Sequence, residues 1–291
     1  MIHYLKRHQI DDIKYDTCID LATNSRVYAY SWYLDIVADN WDALILNDYE
    51  AVMPLPWRSK YFIKYVYPPA WTQQLGVFSE KYISKKLISD FIKEIPKKFK
   101  KITIQFNSSN DLSLLKTIER VNYILPLNKP YKEIYKGFNK NRKRILNKKV
   151  DECKINNGFC IAELILIAKK HYTFLNYTDF EYNNLKVLVN YLLNKKRIIL
   201  YDISNLNNEL IGGIIFFKSD KRITYLFSIM TPFAKKNNIS SGIINLVLEE
   251  YSNSNYIFDF EGSMNLGISN FFKSFGSIPE FYYQYKKYRL I

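Results

Sequence analysis

The chain has 291 residues, 48% of them apolar, with 25 Tyr and 19 Phe against only nine Gly and nine Pro. That length is about two domains at roughly 100–200 residues each, and the composition excludes disordered and fibrous classes. A formal charge of +14 favours anionic partners such as phosphates, nucleic acid or a membrane surface; joint enrichment in Lys, Asn, Ile and Tyr is equally what a biased genome produces.

In chain order, residues 11–23 and 30–38 read as short helices, the first opened by Asp11 and Asp12, acids that suit a helix N-terminus. Residues 43–46 and 51–57 form a hairpin around Asn47-Asp48, and residues 61–67 alternate as a strand that Pro68-Pro69 breaks. In AWTQQLGVFS, Trp71, Gln73 and Gln74 precede a bend at Gly76, suiting either substrate contact or a turn packed under a tryptophan. A basic amphipathic helix over 82–99, interrupted near Pro96, and strands over 101–106 and 121–127 complete the first half. The segment LPLNKP, residues 125–130, is the expected boundary, giving domains 1–128 and 129–291.

Residues 131–157 read as one helix crowded with Lys136, Lys140, Arg142, Lys143, Arg144, Lys148 and Lys149. Such a run is either a solvated face or a phosphate or nucleic-acid contact, for which Lys140, Arg142 and Arg144 are the candidates. Helices over 161–175 and 181–195 precede strands over 198–203, 211–218 and 222–229. After Pro232, the polar stretch with Lys235, Lys236 and Asn237 leads into a helix over 240–251.

The stretch 256–279, YIFDFEGSMNLGISNFFKSFGSIP, is the most structured by pattern. Residues 256–260 form a buried strand that delivers Asp259, Glu261 and Gly262 to its carboxyl end, where open α/β sheets keep their ligands. Ser263 or Asn265 then caps a helix with Ile268, Phe271, Phe272 and Phe275 on one face, Gly276 supplies a left-handed C-terminal position, and Pro279 stops it. Residues 280–288 form a last strand.

Cys18, Cys153 and Cys160 make no CxxC and no even framework, and suit a reducing compartment as buried or bystander thiols. MIHYLKRHQI lacks a charged n-region followed by an apolar one, and the longest apolar run, near 161–168, is far short of the roughly 20 residues that span a bilayer. A cytoplasmic location with no transmembrane segment is expected. His3, His8 and His171 show no ligand spacing, so no metal is expected.

From residue 198 the order strand, strand, strand, helix, strand, helix, strand resembles the C-terminal half of a GNAT acyltransferase domain. Three local matches are similar to the FemABX group, which carries two such domains: NKPYKEIYKGFNKNRKRILNKKV to the segment opening the second domain, LIGGIIFF with ITYLFSI to the central strands that splay around the donor, and DFEGSMNLGISNFFKSFG to the closing motif. TQQLGVFS extends the likeness more loosely into the first half. The resemblance implies an α/β (α+β, mixed-sheet) fold of two tandem GNAT-like (acyl-CoA N-acyltransferase) domains. It implies transfer of an acyl group from acyl-CoA, such as acetyl-CoA, to an amine of a small molecule or peptide. The alternatives are a Fem-type enzyme that uses aminoacyl-tRNA on a cell-envelope precursor, or a non-catalytic RNA- or phosphate-binding module.

The implied donor site comprises Ser228, Ile229, Met230, Lys235, Lys236, Asn237, Ser240, Ser241, Gly242 and Phe272, with the stretch 230–242 as a loop offering backbone N–H groups to a pyrophosphate. It holds one glycine, Gly242, where GNAT loops have two. Asp259 or Glu261 takes the proton of the attacking ammonium, or is a cap or ion-pair carboxylate. Lys273 matches the lysine of the family's Phe-Lys pair, thought to meet donor phosphate or developing negative charge; a lysine there also answers the helix dipole. Trp71, Gln73 and Tyr225 are the acceptor candidates.

Overall fold

A computed structural model describes residues 1–148, 153–156, 158, 161–262 and 264–289. Lys149, Cys160 and Ser263, each considered above, lie outside the described residues. The chain divides into two units, Met1–Val121 with Phe281–Ile291, and Asn122–Glu280.

In the first unit Asp12–Leu21 (α1) is capped by Asp11, whose side chain accepts from the Lys14 N–H, and Ser31–Val37 (α2) follows. Ile2–Lys6 (β1), Asn40–Leu46 (β2), Ala51–Lys60 (β3) and Ile63–Val66 (β4) pair antiparallel in sequence. The β3–β4 hairpin turns through Tyr61 and Phe62, both at positive φ and both exposed. Ser84 caps Lys85–Glu94 (α3), which crosses over to Phe99–Phe106 (β5), parallel to β4. Ile88, Phe91 and Ile92 of α3 bury against Leu44, Met53, Leu55, Phe99 and Phe106. Each large side chain so buried contributes about 1.5–3 kcal/mol.

Thr117–Pro126 (β6) passes the division at Val121. The second unit then holds Tyr131–Lys136 (α4), Lys140–Leu146 (α5), Cys153–Asn156 (β7), Ile161–His171 (α6) and Asp179–Asn194 (α7). Ile198–Asn205 (β8), Leu210–Lys218 (β9) and Arg222–Met230 (β10) form a meander, followed by Pro232–Lys236 (α8), Ile239–Glu250 (α9), Ile257–Gly262 (β11) and Leu266–Lys273 (α10). Its strands lie in the order β6-β11-β10-β9-β8-β7, with β10 and β11 parallel. Ile278–Tyr288 (β12) starts in this unit and from Phe281 belongs to the first, where Tyr283–Tyr288 pair antiparallel with β5.

Both units therefore repeat one plan. An edge strand leads into a three-stranded meander, a helical crossover reaches a parallel strand, and an antiparallel strand closes the sheet. The closing strand of each unit comes from the other half of the sequence, so the units divide after Val121 rather than at 128, and most of the last strand leaves the second unit.

Three expectations change. The helix anticipated over 131–157 is broken at residues 137–139, where Asn139 caps α5 by accepting from the Arg142 N–H at 2.8 Å, and residues 153–156 are a strand against β8. The buried face of α10 is Ser269 and Phe272, with Phe275 buried just past its end; Ile268 is exposed. Residues 230–242 are not an open loop. Thr231 caps α8 with Pro232 at its first position, and the N–H groups of residues 234, 235, 237 and 238 turn back to Thr231, Phe233 and Lys235.

Candidate functional site

Arg222, Ile223 and Thr224 of β10 register with Ile257, Phe258 and Asp259 of β11, and beyond Thr224 the two parallel strands part: β10 runs on to Met230 while β11 continues against β6. A bulge between Tyr225 and Phe227 on the β9 side turns the far half of β10 further. A cleft between parallel strands, at their carboxyl ends, is where such a sheet receives a ligand.

The acids at this point have unequal surroundings. Asp259 is 3% exposed. Its Oδ2 accepts from Arg222 Nη1 at 2.7 Å, and its Oδ1 from Asn122 Nδ2 at 3.0 Å and from the Glu261 N–H at 2.9 Å. Glu280 accepts from Arg222 Nη2 at 2.8 Å and from Asn122 at 3.0 Å. Burial works against the Arg222 guanidinium, but the charges of Asp259 and Glu280 more than offset it and raise its pKa. Between Asp259 and Gly262 the register with β6 gains one residue, and in that bulge Glu261 takes φ 59°, the left-handed region a non-glycine residue rarely adopts. Glu261, half-buried, is thus tied through its backbone N–H to the Asp259 network. Burial first, and the charge of Glu261 second, push the Tyr177 phenol up to about 12.

On the opposite side, the Tyr172 hydroxyl accepts from the Met230 N–H at 3.0 Å and donates to the Met230 carbonyl at 3.2 Å. Lys235 Nζ lies 3.9 Å from the centre of the Tyr172 ring, a cation–π contact. Burial raises the pKa of the Tyr225 phenol against a hydrogen bond with Ser228. Lys273 ends α10, exposed, with Nζ 5.6 Å from the Tyr123 ring.

No known protein family and no curated protein matches the sequence. Solved structures do match the fold. FemX superposes with a TM-score of 0.66 over 97% of this chain and 96% of that one, at 12% identity. A tandem GNAT protein from the clavulanic acid biosynthesis pathway gives 0.55 over 98% of each chain at 8% identity. The chain has a GNAT-like, FemABX-type fold. L-PGS from Bacillus licheniformis is also similar, at 0.53 over 96% of this chain and 92% of that one with 12% identity.

On this FemABX-type fold the structure brings together Asp259, Glu261, Tyr225, Ser228 and Met230 along the parting strands. It does not aim Phe272 at the cleft: that ring is buried among Phe260, Tyr123 and Tyr225, with centroids 5.1–6.2 Å away. Ile229 is fully buried in β10. Lys236 and Asn237 belong to α8 and its C-cap, and the Asn237 N–H and Nδ2 both bond the Phe233 carbonyl. Ser240 and Gly242 lie in the first turns of α9, where a Cβ added at Gly242 would meet nothing within 4 Å. Ser241 is buried and accepts from Arg142.

Arg142 is not a surface cation. It is 4% exposed, donates to Ser274 Oγ at 3.0 Å as well as to Ser241, and its guanidinium lies 4.6 and 4.4 Å from the Phe271 and Phe275 rings. Burial pulls its pKa down to about 10. Lys140 and Arg144 are exposed, Arg144 donating to Asn141 at 2.9 Å. In the first unit Trp71 is a buried turn residue at φ 63° whose carbonyl accepts from Tyr33, and Gln73 accepts from Gln74 at 2.7 Å. Among the described residues no group of three or more His, Cys, Asp or Glu side chains could hold a metal ion, and no helix is long and apolar enough to cross a membrane.

Sequence reasoning missed Tyr172, Tyr177 and Arg222. A lone arginine opening the otherwise apolar-aromatic strand RITYLFSIM was a usable signal for a buried ion pair. The two tyrosines carried none, because they sit in irregular backbone without period.

Proposed function

We propose that the chain is an acyltransferase that moves an acyl or aminoacyl group onto an amine, with the reaction at the mouth between β10 and β11. The observation that carries this reading is Glu261, presented at φ 59° on a bulge held by the Asp259 side chain. Backbone strain of this kind, about 1–3 kcal/mol, persists where the surroundings over-determine it, and such sites cluster at functional positions. In the reaction the ammonium loses a proton to Glu261, directly or through one water, and the amine nitrogen then attacks the carbonyl carbon. The nitrogen of the tetrahedral adduct gives up its second proton, the oxyanion collapses as the bond to the donor's thiolate or ribose oxygen breaks, and that second proton passes to the leaving atom, giving a neutral amide and a thiol or hydroxyl. Asp259 is a positioning residue here, since all its hydrogen bonds are committed inside the fold. Lys273 supplies positive charge for the oxyanion or for donor phosphate.

Of the two donors, three observations favour aminoacyl-tRNA over acyl-CoA. The Met230 N–H and C=O, which the resemblance implies belong to the donor site, already bond the Tyr172 hydroxyl, and the stretch expected to cradle a pyrophosphate has closed into α8. The exposed Lys140 and Arg144 on α5, in a chain of net charge +14, suit a polyanion. The test is a pair of titrations. Charged tRNA should bind in the micromolar range, with a log–log salt slope of roughly −0.7 per phosphate neutralised, and acetyl-CoA should give no heat. Micromolar binding of acetyl-CoA would overturn the donor assignment.

A further inference from the structure

At one end of the first unit the chain makes a turn that its own packing does not explain. The β3–β4 hairpin pairs Lys60 with Ile63 and turns through Tyr61 and Phe62, at φ 49° and 63°. A two-residue turn with both φ values positive is the place of Asn and Gly, because a bulky side chain in the left-handed region crowds its own backbone. Two aromatic rings stand there instead. They are 83% and 104% exposed, and Lys60 Nζ lies 5.5 Å from the Tyr61 ring. Burial therefore returns nothing for the strain.

The charge at the same end is one-sided. β4 and β5 are parallel and both begin there, with Lys64 beside Phe99 and Tyr65 beside Lys101; β3 ends there, and so does β12, with Tyr288 beside Lys101. The stretches that supply these ends, residues 51–79, 95–110 and 281–291, contain no Asp or Glu, and β5 is entered through PKKFKK. Arg58 and Lys98 are answered from elsewhere: Asp39 lies 3.6 Å from Arg58, and Lys98 donates to the Tyr4 hydroxyl at 2.5 Å with Asp42 at 3.7 Å. Lys60, Lys64, Lys97 and Lys101 are exposed, and among the described residues none of them has a carboxylate at ion-pair distance.

We propose that this end of the first unit docks on an anionic lipid surface, with Tyr61 and Phe62 entering the headgroup layer and Lys60, Lys64, Lys97 and Lys101 meeting its negative charge. The order along the hairpin is that of a membrane interface: aromatic rings at the apex, Lys60 and Lys64 one and two positions behind, and no acid among them. Aromatic side chains settle at headgroup level, and lysines near such a surface add an attraction that decays within a Debye length. Neither signal alone anchors a protein firmly, whereas the two together do. Single-stranded nucleic acid also pairs aromatics with lysines, but it stacks its bases on rings along a groove, and these rings stand on an exposed hairpin tip. Every residue involved lies in the first unit, so the proposal does not rest on the transferase reading.

The test is sedimentation of the full chain with phosphatidylcholine vesicles, with and without phosphatidylserine. The wild type should sediment with the anionic vesicles and be released by salt. Tyr61→Asn combined with Phe62→Gly installs the residues this turn favours, so the midpoint in chemical denaturation should equal or exceed that of wild type. Partition of that double variant to the vesicles should nonetheless fall about tenfold or more. Lys60→Ala and Lys64→Ala should each weaken binding about fivefold and flatten its salt dependence, while Lys186→Ala on α7 should leave it unchanged. Tyr61→Ser and Phe62→Ser, made singly, should each weaken it as well. Equal binding to neutral vesicles, binding to neither, a folded double variant that binds as tightly as wild type, or equal weakening by Lys186→Ala would each overturn the proposal. So would a single-stranded oligonucleotide that binds through the same residues when the vesicles do not.

Discussion

Asp259→Asn separates the positioning role of Asp259 from a catalytic one. The substitution is nearly isosteric, but it removes the charge that faces Arg222 Nη1 at 2.7 Å in a site where Asp259 is 3% exposed. A hydrogen bond to a charged group contributes about 1.5–3 kcal/mol, and an amide NH2 turned toward Arg222 or Asn122 would oppose donor to donor at a further 1–3 kcal/mol or so. Glu280 still pairs with Arg222 at 2.8 Å, so the guanidinium is not abandoned. The expected loss is about 3–5 kcal/mol, the range for breaking a buried pair. At roughly 2–4 °C per kcal/mol for a domain of this size, the melting transition of the second unit should fall by between about 6 and 20 °C. Calorimetric scans of wild type and variant measure it, with transfer assayed well below both transitions. A variant that melts within about 1 kcal/mol of wild type yet transfers nothing would refute the positioning argument and make Asp259 the proton acceptor.

Two glycines give opposite expectations. Gly276 sits at φ 74°, and a Cβ there would lie 2.9 Å from the Gly137 carbonyl oxygen, which is backbone and cannot swing away. Gly276→Ala should therefore cost about 2–4 kcal/mol in chemical denaturation, combining left-handed strain with a forced shift between the end of α10 and the α4–α5 junction. Gly242 is helical with open space around its missing Cβ. Gly242→Ala should raise stability by about 0.5–1 kcal/mol through helix propensity, read in the same denaturation experiment; any destabilisation there would contradict the described α9.

The crossover from β10 to β11 and the helix α10 were legible because their signals are local. Alternating and β-branched runs, the Asn265 cap accepting from the Gly267 and Ile268 N–H groups, and Gly276 at a left-handed C-terminus each need only a few consecutive residues. What pairs with what was not legible. β6 and β12 read correctly as strands, but nothing near them shows that each closes the sheet of the other half of the chain. β1 and β7 went unread because they are short and half-exposed, lacking a clean alternation. The basic run concealed Arg142 for a related reason: burial between α9 and α10 depends on Phe271, Phe275, Ser241 and Ser274, more than ninety residues away. The donor stretch misled through Pro232, which reads as a breaker but here opens a helix that Thr231 caps. Of the candidate site, the position of Asp259 and Glu261 at the end of a strand was legible, whereas their unequal surroundings required the Arg222–Asn122–Glu280 network.

The claim that Glu261 takes the proton during acyl transfer is tested most directly by single-turnover transfer from charged tRNA to a panel of amines, comparing wild type with Glu261→Gln across pH 6 to 9. Loss of a positioned general base should slow the variant by about 10²–10⁴-fold near neutrality. The gap should narrow as rising pH deprotonates the amine in solution. A Glu261→Gln protein that transfers within twofold of wild type at every pH would contradict the account.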